Sequence, residues 1–219
     1  IGVGGAGMSA IAQYLVYTGK HVSGSDRLFT TASELEVRKQ LEVEGVKCFE
    51  QNGSGITEET EVVVVSTAIE ETNIEIAKAN AYGIPIVLRA ELLAEICAAK
   101  KTIAIAGTSG KSTTTAMLFH ILHVNHLQPS FISGAGLVYL QKEGKIGNAF
   151  GGESDLLLIE ADESDGTLVK YKPSIGVLLS IDKDHKELEE LHTIFQTFQK
   201  NTKDIFIVNQ SHALAKLFS

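Results

Sequence analysis

An α/β protein built on mostly parallel sheets is predicted by three features of the sequence. Short apolar runs alternate with helical patterns from end to end. Runs such as VVVV (62–65), IAIA (103–106) and LLLI (156–159) do not alternate apolar with polar residues, so both faces of those strands should be covered by helices. Glycine-rich loops stand at two strand-to-helix junctions, the place where parallel α/β sheets bind ligands.

The chain opens on IGVGGAGMS, at the end of a strand and the start of a helix over 7–18. Gly2, Gly4 and Gly7 fit G-x-G-x-x-G, and Asp26 follows nineteen residues after Gly7 in VSGSD. That spacing approaches the fingerprint of a dinucleotide-binding, Rossmann-like βαβ unit. By itself it leaves open whether the loop holds NAD or another diphosphate. Strands are expected at 21–25, 46–49, 61–67 and 85–89, with helices over 32–44, 73–82 and 89–99. Near AAKK (98–101) a helix ends and two lysines break the apolar pattern, so the domain boundary is placed there. Residues 1–99 then form the Rossmann-like domain and 100–219 a second α/β domain.

The second domain begins with a strand over 101–107 that runs into AIAGTSGKSTTTAML (104–118) and a helix over 111–124. This is the setting a phosphate-binding loop requires, although position 105 is Ile where G-x-x-x-x-G-K-[ST] has glycine. Backbone N–H groups of Thr108 to Ser112 are expected to close around phosphate oxygens, aided by the positive end of the following helix. Lys111 would bridge the β- and γ-phosphates, and the Ser112 hydroxyl would ligate Mg²⁺. Strands at 130–133, 155–161, 174–181 and 204–209 follow, with helices over 186–200 and 211–218. One of those strands ends in EADESD, which places Glu160, Asp162, Glu163 and Asp165 where nucleotide-bound Mg²⁺ needs a second protein ligand. Another ends in SIDKDH, bringing Asp182, Asp184 and His185 to a strand end.

The 219 residues are 44% apolar and 21% charged, ordinary for a globular chain, with a net charge of -8. That balance offers no basic surface for nucleic acid. No apolar run approaches the length that spans a bilayer, so no membrane insertion is expected. Two cysteines outside any C-x-x-C pair, and no signal-peptide pattern, fit a cytoplasmic location. The opening inside a strand and the final helix without a cap predict a piece of a longer chain. His120, His123 and His126 are not expected to bind metal together, because ~100° per residue puts His126 about 240° around the helix from His120. Cys97, among apolar residues on a helix, is expected in the core.

The series GVGGAGMS, VSGSD, VVVVSTAI, GIPIVLRAELLAEI, GTSGKSTTT, EADESDGTL and SIDKDH, running in order to about residue 190, resembles the Mur ligases. The resemblance implies a UDP-binding Rossmann-like domain, a central P-loop ATPase domain and a third domain that helps bind ATP and the amino acid. It implies that the first glycine loop holds the diphosphate of a UDP-sugar, not NAD, with Gly4, Gly5, Ala6, Gly7, Met8, Ser9, Asp26, Ser66, Thr67 and Arg89 around it. It implies ATP contacts at Gly107, Thr108, Ser109, Gly110, Lys111, Ser112 and Thr113, with Lys111, Glu160 and His185 as catalytic residues and Ser112, Glu160 and His185 as Mg²⁺ ligands. The implied reaction is amide formation through an acyl phosphate, with ATP and Mg²⁺. The favoured substrates are UDP-N-acetylmuramate and L-alanine, with murein-tripeptide recycling as the alternative. The chain departs from the family at Ser109 (histidine in GTHGKT), Ser112 (threonine), Ser180 (asparagine) and EQNGSG (50–55, where a Gly-His is expected). The Ser109 and Ser180 departures motivate a second alternative, a nucleotide-binding relative without ligase activity. An NAD-dependent oxidoreductase ranks behind both, since it leaves the P-loop unexplained.

Overall fold

The computed structural model describes residues 1–30, 35–163, 166–183 and 187–219. Contacts divide the chain into two units. Unit 1 comprises Ile1–Leu93 and Gly134–Gly151; unit 2 comprises Ala94–Ser133 and Gly152–Ser219.

Unit 1 carries α1 (Ala6–Tyr17), β1 (Ser23–Asp26), α2 (Glu36–Val43), β2 (Lys47–Glu50), β3 (Val63–Val65), α3 (Ile74–Ala81), β4 (Ile86–Leu88) and the start of α4 (Arg89–Ala98). The pairs β1–β2 and β3–β4 are parallel. Residues 1–3 lie between the two pairs: the Ile1 amino group donates to Val64 O (2.8 Å), and the N–H groups of Gly2 and Val3 donate to Ser25 O (2.7 and 3.0 Å). The parallel layout therefore runs β2, β1, residues 1–3, β3, β4. Val3 joins Ala12, Phe29, Leu41 and Val46 in one apolar cluster, while Ile1 joins Val63, Val65 and Ala79 in another. Burial of this first stretch fixes where the chain turns into the glycine loop.

The excursion 134–151 holds α6 (Val138–Lys142) and β7 (Ala149–Phe150), neither of which the apolar pattern predicted. It is pinned to α1 by a buried amide network. Asn148 Nδ2 donates to Ala6 O (2.8 Å) and Ser9 Oγ (3.0 Å), and Gln13 Nε2 donates to Asn148 Oδ1 (2.8 Å). Gln13 Nε2 also donates to Ser9 O (2.9 Å), while Gln13 Oε1 is buried without a hydrogen-bond partner among the described residues.

Unit 2 contains β5 (Lys101–Ala106), α5 (Lys111–Val124), β6 (Ser130–Ile132), β8 (Leu156–Glu160), β9 (Ile175–Leu178), α7 (Leu188–Asn201) and β10 (Ile205–Val208). Its strands are ordered β10, β9, β5, β8, β6, all parallel. Leu157, Leu158 and Ile159 are fully buried, as expected of a strand covered on both faces, among core residues that include Phe119, Phe131, Phe195 and Phe198. The helix expected over 211–218 is instead a single 3₁₀ turn, Ala215–Phe218. Asn209 Oδ1 accepts the Ser211 N–H (3.0 Å), a local turn that competes with helix entry. Cys97 is buried, and desolvation pushes its thiol up to about 12, so it is core.

Gly152, just ahead of β8, is fixed by close approach of backbone. A Cβ there would lie 2.0 Å from Gln128 O and 2.5 Å from Pro129 C. Neither atom belongs to a side chain that can swing away. Gly152→Ala is expected to cost about 3 kcal/mol, the upper range for overpacking, measured as a shift in the urea midpoint at unchanged slope.

Candidate functional site

In unit 2 the second glycine loop, 107–110, follows β5 directly. Gly107 has φ +136°, and a Cβ there would meet Ser180 N at 2.9 Å, so the loop crosses the end of β9 at a distance only glycine allows. Gly110, at φ +83°, caps α5 without a side chain. The first bond of that helix runs from Thr114 N–H to Gly110 O (2.9 Å). The N–H groups of Lys111, Ser112 and Thr113 therefore have no acceptor within the helix. The first turn carries no acidic residue, so this helix start suits an anion.

The expected donors Thr108 N–H and Ser109 N–H point elsewhere. They donate to Ser180 O (3.1 Å) and Ser180 Oγ (3.0 Å), and Asp182 N–H donates to Thr108 Oγ1 (2.9 Å). The front of the loop is thus docked on the exit of β9, and the helix end of the loop holds the donors suited to an anion. Ser109 and Ser180, the two departures that motivated doubt about activity, are bonded to each other. Sequence reasoning saw both but not their pairing.

Lys111 Nζ donates to Gly107 O (2.8 Å) and to Glu163 Oε2 (2.9 Å), with Asp162 Oδ1 at 3.7 Å. The lysine side chain is 13% exposed and that of Glu163 7%. Ser112 Oγ donates to Glu160 Oε1 (2.6 Å), and Ser133 Oγ donates to Glu160 Oε2 (2.7 Å). The register explains the meeting: Glu160 pairs with Ile105, one residue before the end of β5, and Ile159 pairs with Ile132 at the end of β6. Ser133 has no role expected from sequence, and Glu163 is expected there only as one of four carboxylates near Mg²⁺, not as the partner of Lys111. Their significance depends on strand order, which no local pattern carries.

A hydroxyl and a carboxylate within 2.6 Å of each other form a hard oxygen set that fits Mg²⁺, which keeps several waters and takes few protein ligands. Among the described residues there is no group of three His, Cys, Asp or Glu side chains suited to a metal. His185, expected as a further ligand, lies outside the described residues, as do Asp165 and Asp184. Asp182 is paired with His212 Nε2 (3.3 Å). Of the histidine series, His123 stacks on Phe119 with ring centroids 5.4 Å apart, and His126 follows α5 at φ 61°.

In unit 1, Gly5 caps α1 without a side chain, and Ser9 N–H to Gly5 O (2.8 Å) closes its first turn. The N–H groups of Ala6, Gly7 and Met8 are left without acceptors in the helix. Arg89 overlies this turn, since a Cβ on Gly7 would sit 2.7 Å from its Nη1. The pairing of Val65 with Leu88 places Ser66 beside Arg89 at the sheet end, with Thr67 following. A guanidinium over a helix N-terminus suits an anionic group.

Two expected residues have structural duties here. Both Asp26 oxygens accept loop amides, Oδ2 from Gly4 N–H (2.9 Å) and Oδ1 from Leu28 N–H (3.0 Å). Asp26 therefore shapes the glycine loop. Ser9 is 1% exposed, and its hydroxyl bonds Ala6 O and Asn148 inside the amide network.

Residues 1–101 match the family model described as Mur ligase family, catalytic domain. Among curated proteins, the UDP-N-acetylmuramate–L-alanine ligase of Ruthia magnifica is 40% identical over 207 residues, covering 94% of this chain and 41% of that protein. The enzyme of the same name from Aquifex aeolicus is 40% identical over 190 residues, covering 87% of this chain and 40% of that protein. The chain thus spans about two fifths of the length of these relatives. Among solved structures, the UDP-N-acetylmuramate–alanine ligase of Thermotoga maritima superposes with a TM-score of 0.84 at 25% identity, over all of this chain and 50% of that one. A murein peptide ligase from Psychrobacter arcticus gives 0.77 at 25% identity, over 92% of this chain and 46% of that one.

Proposed function

We propose that this chain, whose residues 1–101 match the Mur ligase family model, acts within an ATP-dependent ligase joining L-alanine to UDP-N-acetylmuramate in cell-wall synthesis. The observation that carries this reading is the convergence of Lys111, Ser112 and Glu160 at the start of α5, in a chain similar along most of its length to ligases of that name. Residues 1–99 are proposed to bind the UDP-sugar and residues 100–219 to bind ATP, in the cytoplasm. A chain that bound only a dinucleotide would leave the second loop and its carboxylates without a task.

In the proposed reaction the muramoyl carboxylate attacks the γ-phosphate, giving an acyl phosphate and ADP. The amine of alanine then attacks the acyl carbon, and phosphate leaves. Lys111 would leave Glu163 for the phosphate oxygens, and the N–H groups of Lys111, Ser112 and Thr113 would hold the anion in place. Mg²⁺, which Ser112 and Glu160 would hold with His185, supplies charge neutralisation at the phosphates. The likeness to a murein peptide ligase supports a second reading in which the carboxyl donor is the same type of sugar but the amine comes from a peptide.

Calorimetry on the protein with UDP-N-acetylmuramate and with NAD⁺ tests the first loop. Binding of the UDP-sugar at least about tenfold tighter, or about 1.4 kcal/mol, is expected. The Arg89 guanidinium and three N–H groups suit either diphosphate, so the preference must come from the rest of the ligand. Tighter binding of NAD⁺ would sink the UDP-sugar assignment.

A further inference from the structure

We propose that Ser133 is a positioning residue for the Mg²⁺ carboxylate, holding Glu160 so that one oxygen faces the cation; this rests on the nucleotide reading above. Glu160 ends β8, and the last torsion of a glutamate is soft and roughly two-fold. Its backbone position therefore does not decide which oxygen faces Ser112. The two hydroxyls do: Ser112 Oγ donates to Oε1 at 2.6 Å, and Ser133 Oγ donates to Oε2 at 2.7 Å.

The two bonds differ in what they can survive. A Ser112 hydroxyl that ligates a cation turns its lone pair to the metal and gives up its donation to Glu160. The Ser133 bond has no such conflict. Ser133 is 4% exposed and directly follows β6, whose Ile132 pairs with Ile159 of β8. It is therefore carried by two paired strands, next to the carboxylate. Outer hydrogen bonds of this kind orient a ligating group and typically change metal affinity 10- to 100-fold when removed.

Engaging Oε2 also keeps the carboxylate monodentate. Mg²⁺ demands near-octahedral geometry and accepts one oxygen, whereas Ca²⁺ tolerates a carboxylate that chelates with both. Ser133 thereby favours the smaller ion. Loss of its hydroxyl should weaken Mg²⁺ support of nucleotide binding more than Ca²⁺ support, a difference that simple loosening of the core would not produce.

The test is ATP affinity of wild type, Ser133→Ala and Ser133→Thr, each in Mg²⁺, Ca²⁺ and EDTA. Ser133→Ala is expected to need about tenfold more Mg²⁺ for the same gain in affinity, with the Ca²⁺ gain less affected and the EDTA value unchanged. Ser133→Thr, which keeps the hydroxyl, should restore the Mg²⁺ response. An unchanged Mg²⁺ response in Ser133→Ala, or equal weakening in all three conditions, would overturn the role of Ser133. Wild-type ATP binding that Mg²⁺ does not strengthen would overturn the nucleotide reading and the proposal with it.

Discussion

Lys111→Ala is expected to slow phosphoryl transfer in the whole enzyme about a thousandfold, the upper range for losing one preorganised stabilising group. Lys111 is the first residue of α5, where its charge adds to three N–H groups already aimed outward. No neighbouring cation is seen that could replace it among the described groups around the loop, which are Asp162, Glu163 and Glu160. The same variant leaves Glu163 as a nearly buried carboxylate without its ammonium, and such a loss is destabilising in its own right. Activity and stability must therefore be separated. Lys111→Ala combined with Glu163→Gln should regain much of the lost thermal stability and none of the phosphoryl transfer. Single-turnover transfer of labelled γ-phosphate, read beside a melting curve for both variants, makes the distinction. Normal turnover in Lys111→Ala would show that another group serves the phosphates.

Glu160→Gln should reduce the Mg²⁺ enhancement of ATP affinity by about 10- to 100-fold, whereas Asp155→Asn should leave it unchanged. The two carboxylates bracket β8 and are separated by ~17 Å at ~3.3 Å per residue. Only Glu160 lies at the loop end, against Ser112. Asp155 is 72% exposed at the opposite end, 3.6 Å from Lys100. The glutamine keeps the shape but accepts through its single amide oxygen in place of one carboxylate oxygen, so the loss combines the charge with one of the two serine hydrogen bonds. Affinities measured with Mg²⁺ and with EDTA provide the check, and an intact enhancement in Glu160→Gln would move the metal to another carboxylate.

The two glycine loops, the strands buried on both faces and the acid at the end of β8 were legible because each depends on neighbours in sequence. A strand that runs into G-x-x-G-K-S makes its strand-to-helix turn locally, and 111–124 is helical over the range expected. What escaped was set by strand order. Ser133 is one serine after a three-residue strand, and it gains a role only because β6 lies beside β8. Ser180 is visible as an oddity, yet its grip on Ser109 N–H needs the end of β9 against Gly107. Asp26 has the spacing of a ligand residue, but the return of the chain after β1 brings Leu28 N–H to it along with Gly4 N–H. Short-range turn chemistry at Asn209 likewise won over the apolar pattern of 211–218.

The excursion of residues 134–151 makes the chain's modularity different from its order in sequence. Each unit is assembled from two separate stretches, so no single scission releases either of them whole. A gene truncated after Leu93 encodes α1 without Asn148, stripping Gln13 and Ser9 of the amide that seals them. The reciprocal piece, starting at Ala94, carries an 18-residue insert whose buried asparagine has lost its acceptors. Swapping unit 1 between relatives would therefore require grafting at three junctions, and chimaeras joined at the apparent linker inherit a mismatched seam on α1.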